Sequence, residues 1–90
     1  MLAVRVVVTG RVQGVGFRAF VLREASSRRL GGWVRNRADG AVETEAQGTA
    51  EALRAFVEAL RRGPHPARVE DVSEQWFESP SAVHGFRVVG

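Results

Sequence analysis

Two hydrophobic repeats alternate along the chain. In Leu2 to Thr9 (LAVRVVVT), Leu2, Val4, Val6 and Val8 fall on one face. That two-residue repeat predicts a strand with a buried side, and the run of Val predicts a central one. Gly10 to Gly16 (GRVQGVG) holds Gly10, Gly14 and Gly16 and reads as a loop. From Phe17 or Arg18 to Leu30 the repeat lengthens. Phe17, Val21 and Ala25 stand four apart, flanked by Phe20, Leu22 and Leu30, so an amphipathic helix is predicted. Gly31-Gly32 would end it, because glycine accepts the left-handed backbone of a helix C-terminus.

The second half repeats the scheme. Trp33 to Arg37 reads as a short strand, and Ala38-Asp39-Gly40 as a tight turn, Asp-Gly being a strong hairpin signal. Ala41 to Gln47 (AVETEAQ) alternates as the return strand. Thr49 is placed to cap a second helix, with Glu51 in its first turn. Leu53, Phe56, Val57 and Leu60 form the apolar stripe of that helix. Arg61-Arg62 suit its negative end, and Gly63-Pro64 stop it. Arg68 to Glu78 is a strand of imperfect alternation, which predicts a bulge or a shift of face. Gly85 to Val89 reads as a last short strand. The order β-α-β-β-α-β with a small extra strand predicts a ferredoxin-like α/β sandwich, with two helices on one face of an antiparallel sheet. That fold hosts many functions, so function has to come from a site.

Composition narrows the classes. Ninety residues make one thin-cored domain, and 44% hydrophobic with 26% charged is an ordinary globular balance. No uncharged apolar stretch approaches the ~18 residues of a membrane span. Met1 to Gly10 carries Arg5 and has no apolar signal core, so a cytoplasmic protein is expected. There is no Cys, which removes disulfides, thiolate metal sites and cysteine nucleophiles. All 13 basic residues are Arg, which removes Schiff-base lysines and the P-loop lysine. The formal charge of +3 is unevenly spread. Residues 1–37 hold eight Arg against Glu24, a balance of +7, while 38–90 hold five Arg against nine carboxylates, a balance of −4. The basic half favours an anionic ligand.

The chemistry sits after the first strand. Val12-Gln13-Gly14-Val15-Gly16-Phe17-Arg18 leaves a strand and opens a helix. Glycines let the backbone turn tightly and aim several N–H groups into one nest, and a helix N-terminus adds its own unpaired N–H groups. Together these suit phosphate. The planar fork of Arg18 can grip two oxygens of the same anion. Gly14-x-Gly16-x-x-Ala19 matches a dinucleotide fingerprint. The chain is too short for that fold, however, and Arg35, Asn36 and Arg37 stand where the acidic ribose ligand belongs. A tight turn with no ligand is the plainer reading of the glycines. His65 and His84 have no partner ligand nearby, so no metal site is expected.

GRVQGVGFR (10–18) and GGWVRNRADGAVETEAQG (31–48) resemble the two signature blocks of the acylphosphatase family. Gly63-Pro64, Ala67-Arg68-Val69 and Phe86-Arg87-Val88 fit its later pieces, so the likeness covers essentially residues 1–90 as one domain. The resemblance implies a metal-independent hydrolase that splits acyl phosphates into carboxylate and inorganic phosphate. By that resemblance Arg18 holds the phosphate and Asn36 positions water, with Gln13, Gly14, Val15, Gly16 and Phe17 completing the phosphate loop. Gln13 can also brace the loop, and Phe17 suits the core. A monomer is expected, with no cofactor and no nucleic-acid or membrane partner. Two other readings compete. One is a non-catalytic module binding acyl or carbamoyl phosphate, as in larger maturation enzymes. The other is an RNA-binding module of the same strand order. The latter stacks bases on aromatics of its first and third strands. Here Leu2–Thr9 and Ala41–Gln47 hold none, and Glu43 and Glu45 would repel a phosphate backbone.

Overall fold

The computed structural model describes residues 1–90. Its elements are β1 (Leu2–Arg11), α1 (Phe17–Ser27), β2 (Gly31–Asn36), β3 (Val42–Gln47), α2 (Ala50–Arg62), β4 (Arg68–Glu78) and β5 (Phe86–Val88). They form one five-stranded sheet of order β4-β1-β3-β2-β5. β1 is internal, as its Val content predicts, and β3 takes the middle. The sandwich is ferredoxin-like, but the sheet is mixed. β5 lies parallel to β2, whereas the other neighbours are antiparallel.

The core lies between the sheet and the two helices. Val4, Val6 and Val8 of β1 are fully buried with Val34, Val42 and Ala46 of the other strands. Phe17, Val21 and Ala25 of α1 and Leu53, Phe56 and Leu60 of α2 cover them. Truncating Phe56 to Ala would cost about 3–5 kcal/mol, since nothing can collapse to fill so large a gap. The Thr49 hydroxyl accepts the Ala52 N–H at 3.1 Å, and Gly63 ends α2 at φ 66°, both as the sequence predicts.

The irregularity expected in β4 is a register shift. Thr9 pairs with Asp71 but Gly10 with Val69, leaving Glu70 as the extra residue. A Cβ on Gly10 would stand 2.2 Å from the Arg68 carbonyl oxygen, so the bulge requires glycine there.

The end of α1 departs from expectation. The helix stops at Ser27, and Arg29, not a glycine, takes the left-handed conformation at φ 57°. Gly31 and Gly32 belong to β2. A Cβ on Gly31 would lie 1.9 Å from the Val83 carbonyl oxygen, and one on Gly32 equally close to that of Glu45. Close approach of neighbouring backbone, not helix termination, explains this pair.

The outer face of the sheet is open. There Arg5 pairs with Glu45 at 2.6 Å and Arg35 with Glu43 at 2.6 Å. Both guanidinium groups stand about 6 Å from the Trp33 ring (6.0 and 5.8 Å), so Trp33 is flanked by cations and stays out of the core. No helix is long and apolar enough to cross a membrane.

Candidate active site

Beyond the bulge at Gly10, β1 stays paired with β4 through Arg11, and residues 12–16 then make the turn into α1. Gly14 and Gly16 adopt φ 73° and 79°, conformations that strain any residue with a Cβ. Neither has any heavy atom within 4 Å of where its Cβ would stand. Their role therefore differs from that of Gly31 and Gly32. They shape the turn and leave open space above it.

Donors line that space. None of the N–H groups from Gln13 to Ala19 makes a well-formed hydrogen bond to the protein; the first such bond of the helix is Phe20 N–H to the Gly16 carbonyl at 3.0 Å. α1 has Gly16 at its N-cap with no side-chain cap, and no acidic residue in its first turn. A helix start left without internal acceptors carries partial positive charge and converging donors, the ordinary chemistry of an anion site.

Arg18 adds a full charge in that first turn. A cation there opposes the helix dipole at a cost of about 0.3–1 kcal/mol, so its placement is not a helix-stability device. Its Nη1 donates to the Gly90 main-chain oxygen at 2.8 Å, and no Asp or Glu side chain lies within salt-bridge range. The other candidate arginines differ. Arg35 is taken by Glu43, and Arg37 by Asp39 at 2.7 Å.

Asn36 ends β2 facing the same space. Its N–H also donates to the Gly90 oxygen at 2.8 Å. Its side-chain Oδ1 is buried and has no partner. A buried acceptor left unpaired costs about 1–3 kcal/mol, so it is tolerated only where something else is gained. Arg18 and Asn36 line one cavity of about 360 Å³ together with Val12, Gly14, Gly16, Phe17, Ala19, Leu22 and Val88.

The remaining loop residues act differently from their neighbours. The Gln13 side chain points away from the cavity and donates to the Arg37 and Ala41 carbonyls at 2.8 and 2.9 Å. It thereby ties the loop to the 37–41 turn beside Asn36. Phe17 is buried in the core at 1% exposure, and Val15 packs partly against it. Gln13, Val15 and Phe17 can therefore meet an anion only through their main-chain N–H groups. Asp39 holds the turn by accepting the Ala41 N–H at 3.1 Å. That bond, with Arg37 beside it, keeps the Asp39 carboxyl below its ordinary value of 3.8. No group of three or more His, Asp or Glu residues stands together to hold a metal ion.

Sequence reading passed over Gly90, Val88, Leu22 and Ala19. Leu22 follows Arg18 by four residues, a helical spacing visible in the sequence, whereas Ala19 is its direct neighbour and carries no such signal. Gly90 and Val88 reach the site only because β5 extends its pairing past Val88. Val89 N–H bonds to the Val34 carbonyl at 2.9 Å, and the next bond is that from Asn36 to Gly90. No local signal announces this.

Comparison with known proteins agrees with the geometry. The acylphosphatase family pattern matches residues 4–88. The acylphosphatase of Salinibacter ruber is 51% identical over 81 residues, 90% of this chain and 85% of its own. That of Bacillus subtilis is 49% identical over 89 residues, 99% and 98% of the two chains. The crystal structure of the Bacillus subtilis acylphosphatase superposes over the whole of both chains with a TM-score of 0.96. The structure of HypF from T. kodakarensis is also similar, with a TM-score of 0.87 at 33% identity, over 99% of this chain but 12% of that one. With the match running nearly end to end and at about half identity, the chain belongs to the acylphosphatase family, whose members hydrolyse acyl phosphates.

Proposed function

We propose that this chain cleaves acyl phosphates at the turn before α1, without a metal ion, with Arg18 and the loop N–H groups holding the phosphate and Asn36 positioning the attacking water. The observation that carries the reading is one cavity lined by Gly14, Gly16 and the start of α1, by an arginine with no Asp or Glu partner and by the side chain of Asn36.

The chemistry asks for little more. An acyl phosphate is a mixed anhydride, and its leaving carboxylate departs without protonation. No strong general acid and no covalent nucleophile is required. Phosphoryl transfer depends on positioning and on stabilising charge at the equatorial oxygens. The loop N–H groups and Arg18 supply donors for those oxygens. The Asn36 side-chain amide stands at the cavity wall and carries both donor and acceptor atoms with which to orient water. Water oxygen bonds to phosphorus while the bond from phosphorus to the acyl oxygen breaks, and its electron pair leaves with the carboxylate. One proton of the water passes to a phosphate oxygen, giving carboxylate and dihydrogen phosphate. No side-chain base stands at the cavity, which supports the substrate phosphate as proton acceptor.

The paired charges of the open sheet face support a small-molecule enzyme with no nucleic-acid partner, since Arg5 and Arg35 are already taken by Glu45 and Glu43. The chain is also similar to one part of the longer HypF chain, and the second reading is a module in that kind of setting that binds its phosphate ligand without turnover. Phosphate release from benzoyl phosphate separates the two. The enzyme reading expects multiple turnovers, unchanged by excess chelator. Binding without turnover would support the module, and activity lost to chelator and restored by Mg²⁺ would contradict the metal-independent mechanism.

A further inference from the structure

The phosphate loop and Asn36 come from strands that do not touch. In the sheet, β3 lies between β1 and β2. Val42 of β3 is in register with both, opposite Val8 of β1 and Asn36 of β2, and both ladders end there. Beyond Val42 no strand pairing fixes the loop that leaves β1 at a set distance from the end of β2. An attacking water and a phosphate must nevertheless be held about 3–3.5 Å apart.

The Gln13 side chain crosses that gap. Its Nε2 donates to the Arg37 carbonyl at 2.8 Å and to the Ala41 carbonyl at 2.9 Å, and both bonds are partly buried. Arg37 directly follows Asn36 in the chain. The same two carbonyls already close the 37–41 turn. Arg37 accepts the Gly40 N–H at 3.2 Å, and Ala41 accepts the Arg37 N–H at 2.8 Å. The turn keeps those bonds without Gln13, so what Gln13 adds is the tie. A second tie runs through the Gly90 oxygen, which accepts from Arg18 and from the Asn36 N–H, but its Arg18 bond is exposed. A hydrogen bond shielded from water is electrostatically the stronger.

We infer that the Gln13 side chain is a positioning group: it sets the distance between the bound phosphate and the water oriented by Asn36, while facing neither. The inference rests on the roles proposed above for the phosphate loop and Asn36. The phosphate donors, from the loop through Arg18, lie on one continuous stretch. Release of the Gln13 side chain lets that stretch shift as a unit against Asn36. Phosphate binding is kept and the alignment of the reactants is lost.

The test uses Gln13→Met, which keeps length and bulk but removes the donor, and Gln13→Glu, which turns a carboxylate towards two carbonyl oxygens. Folding is verified by Tm. With benzoyl phosphate as substrate, kcat should fall by about tenfold or more in each variant, the scale of a misplaced reactant. KM and the inhibition constant of inorganic phosphate should move by less than about twofold. The deciding comparison repeats Gln13→Met in the Asn36→Ala background. With the water-orienting amide gone, nothing is left to misalign, and kcat should fall by less than about twofold further. An equal factor in both backgrounds would make Gln13 a merely structural brace and overturn the inference. So would folded variants with wild-type kcat, a phosphate inhibition constant that weakens in step with kcat, or failure of both variants to fold. An Asn36→Ala protein with wild-type kcat would remove the role of Asn36 and this inference with it, leaving hydrolysis intact. A wild type that does not cleave benzoyl phosphate would remove the hydrolase reading itself.

Discussion

Asn36 is the residue whose local cost is hardest to explain without a ligand. Its amide oxygen is buried and unpaired, while its main-chain N–H is tied to Gly90. If the Asn36 side chain orients water, Asn36→Ala should lower kcat by about 100-fold, the loss expected from a misplaced reactant. Phosphate inhibition and KM should hardly move, because the loop N–H groups and Arg18 remain. Steady-state kinetics on benzoyl phosphate with phosphate as inhibitor checks this. A variant that keeps kcat but loses phosphate affinity would make Asn36 a binding residue. The glycines divide in the same residue-by-residue way. Gly31→Ala drives a Cβ against the Val83 carbonyl, so backbone must move. It should destabilise by about 2 kcal/mol or more, lowering Tm by roughly 10 °C in a chain of this size. Gly14→Ala meets no atom and costs only left-handed strain, about 1–2 kcal/mol, but puts a methyl group over the cradle. Its larger loss should be in phosphate affinity, read by calorimetric titration.

Among the elements, the 37–41 turn links stability to pH. Asp39 accepts the Ala41 N–H, and its carboxyl sits below its ordinary 3.8. A carboxyl depressed in the folded state contributes stability that is complete above its unfolded value and is lost as pH falls through the folded one. The turn should therefore hold at neutral pH and loosen below pH 3.8, taking the Gln13 brace with it. Urea unfolding at neutral and acid pH should show a smaller acid loss in Asp39→Asn than in the wild type, the remainder coming from Glu74, whose carboxyl is also lowered by Trp76 and Arg61; an identical loss in both would dismiss the turn as a source. The strands and helices themselves were largely legible in the sequence, because each repeat coincides with a buried face: Val4, Val6 and Val8 on β1, Leu53, Phe56 and Leu60 on α2. Legibility failed where long-range contact decides. Gly31-Gly32 looks like a helix stop, but its need for glycine comes from Val83 and Glu45, distant in sequence. The helix ends earlier, at Ser27, and the left-handed turn after it falls on Arg29, a residue with no such local signature. β5 was visible as a short apolar run, yet nothing in it reveals that its parallel pairing carries Gly90 to Arg18 and Asn36.

At the scale of the whole molecule, the fold brings three separate stretches to one cavity: the loop before α1, the end of β2 and the tail of β5. The resemblance of the first two stretches to family blocks made Arg18 and Asn36 legible, since function constrains residue type there. The third stretch contributes main-chain oxygen and an apolar wall, which constrain type weakly. Eight Arg in residues 1–37 first suggested an anion site, but Arg35 and Arg37 are neutralised by Glu43 and Asp39, which leaves Arg18 as the cation aimed at the cradle. The central claim is that this one charge serves both binding and turnover. The most direct measurement is kcat/KM for benzoyl phosphate in Arg18→Gln, on protein verified as folded by its Tm. Folding should be nearly unchanged. Loss of the exposed Gly90 bond is partly offset by removing a cation from a helix N-terminus, about 0.3–1 kcal/mol. Turnover efficiency should fall by about 1,000-fold or more, because glutamine keeps a donor but neither the charge nor the fork that spans two phosphate oxygens. A folded Arg18→Gln with near wild-type kcat/KM would contradict the account.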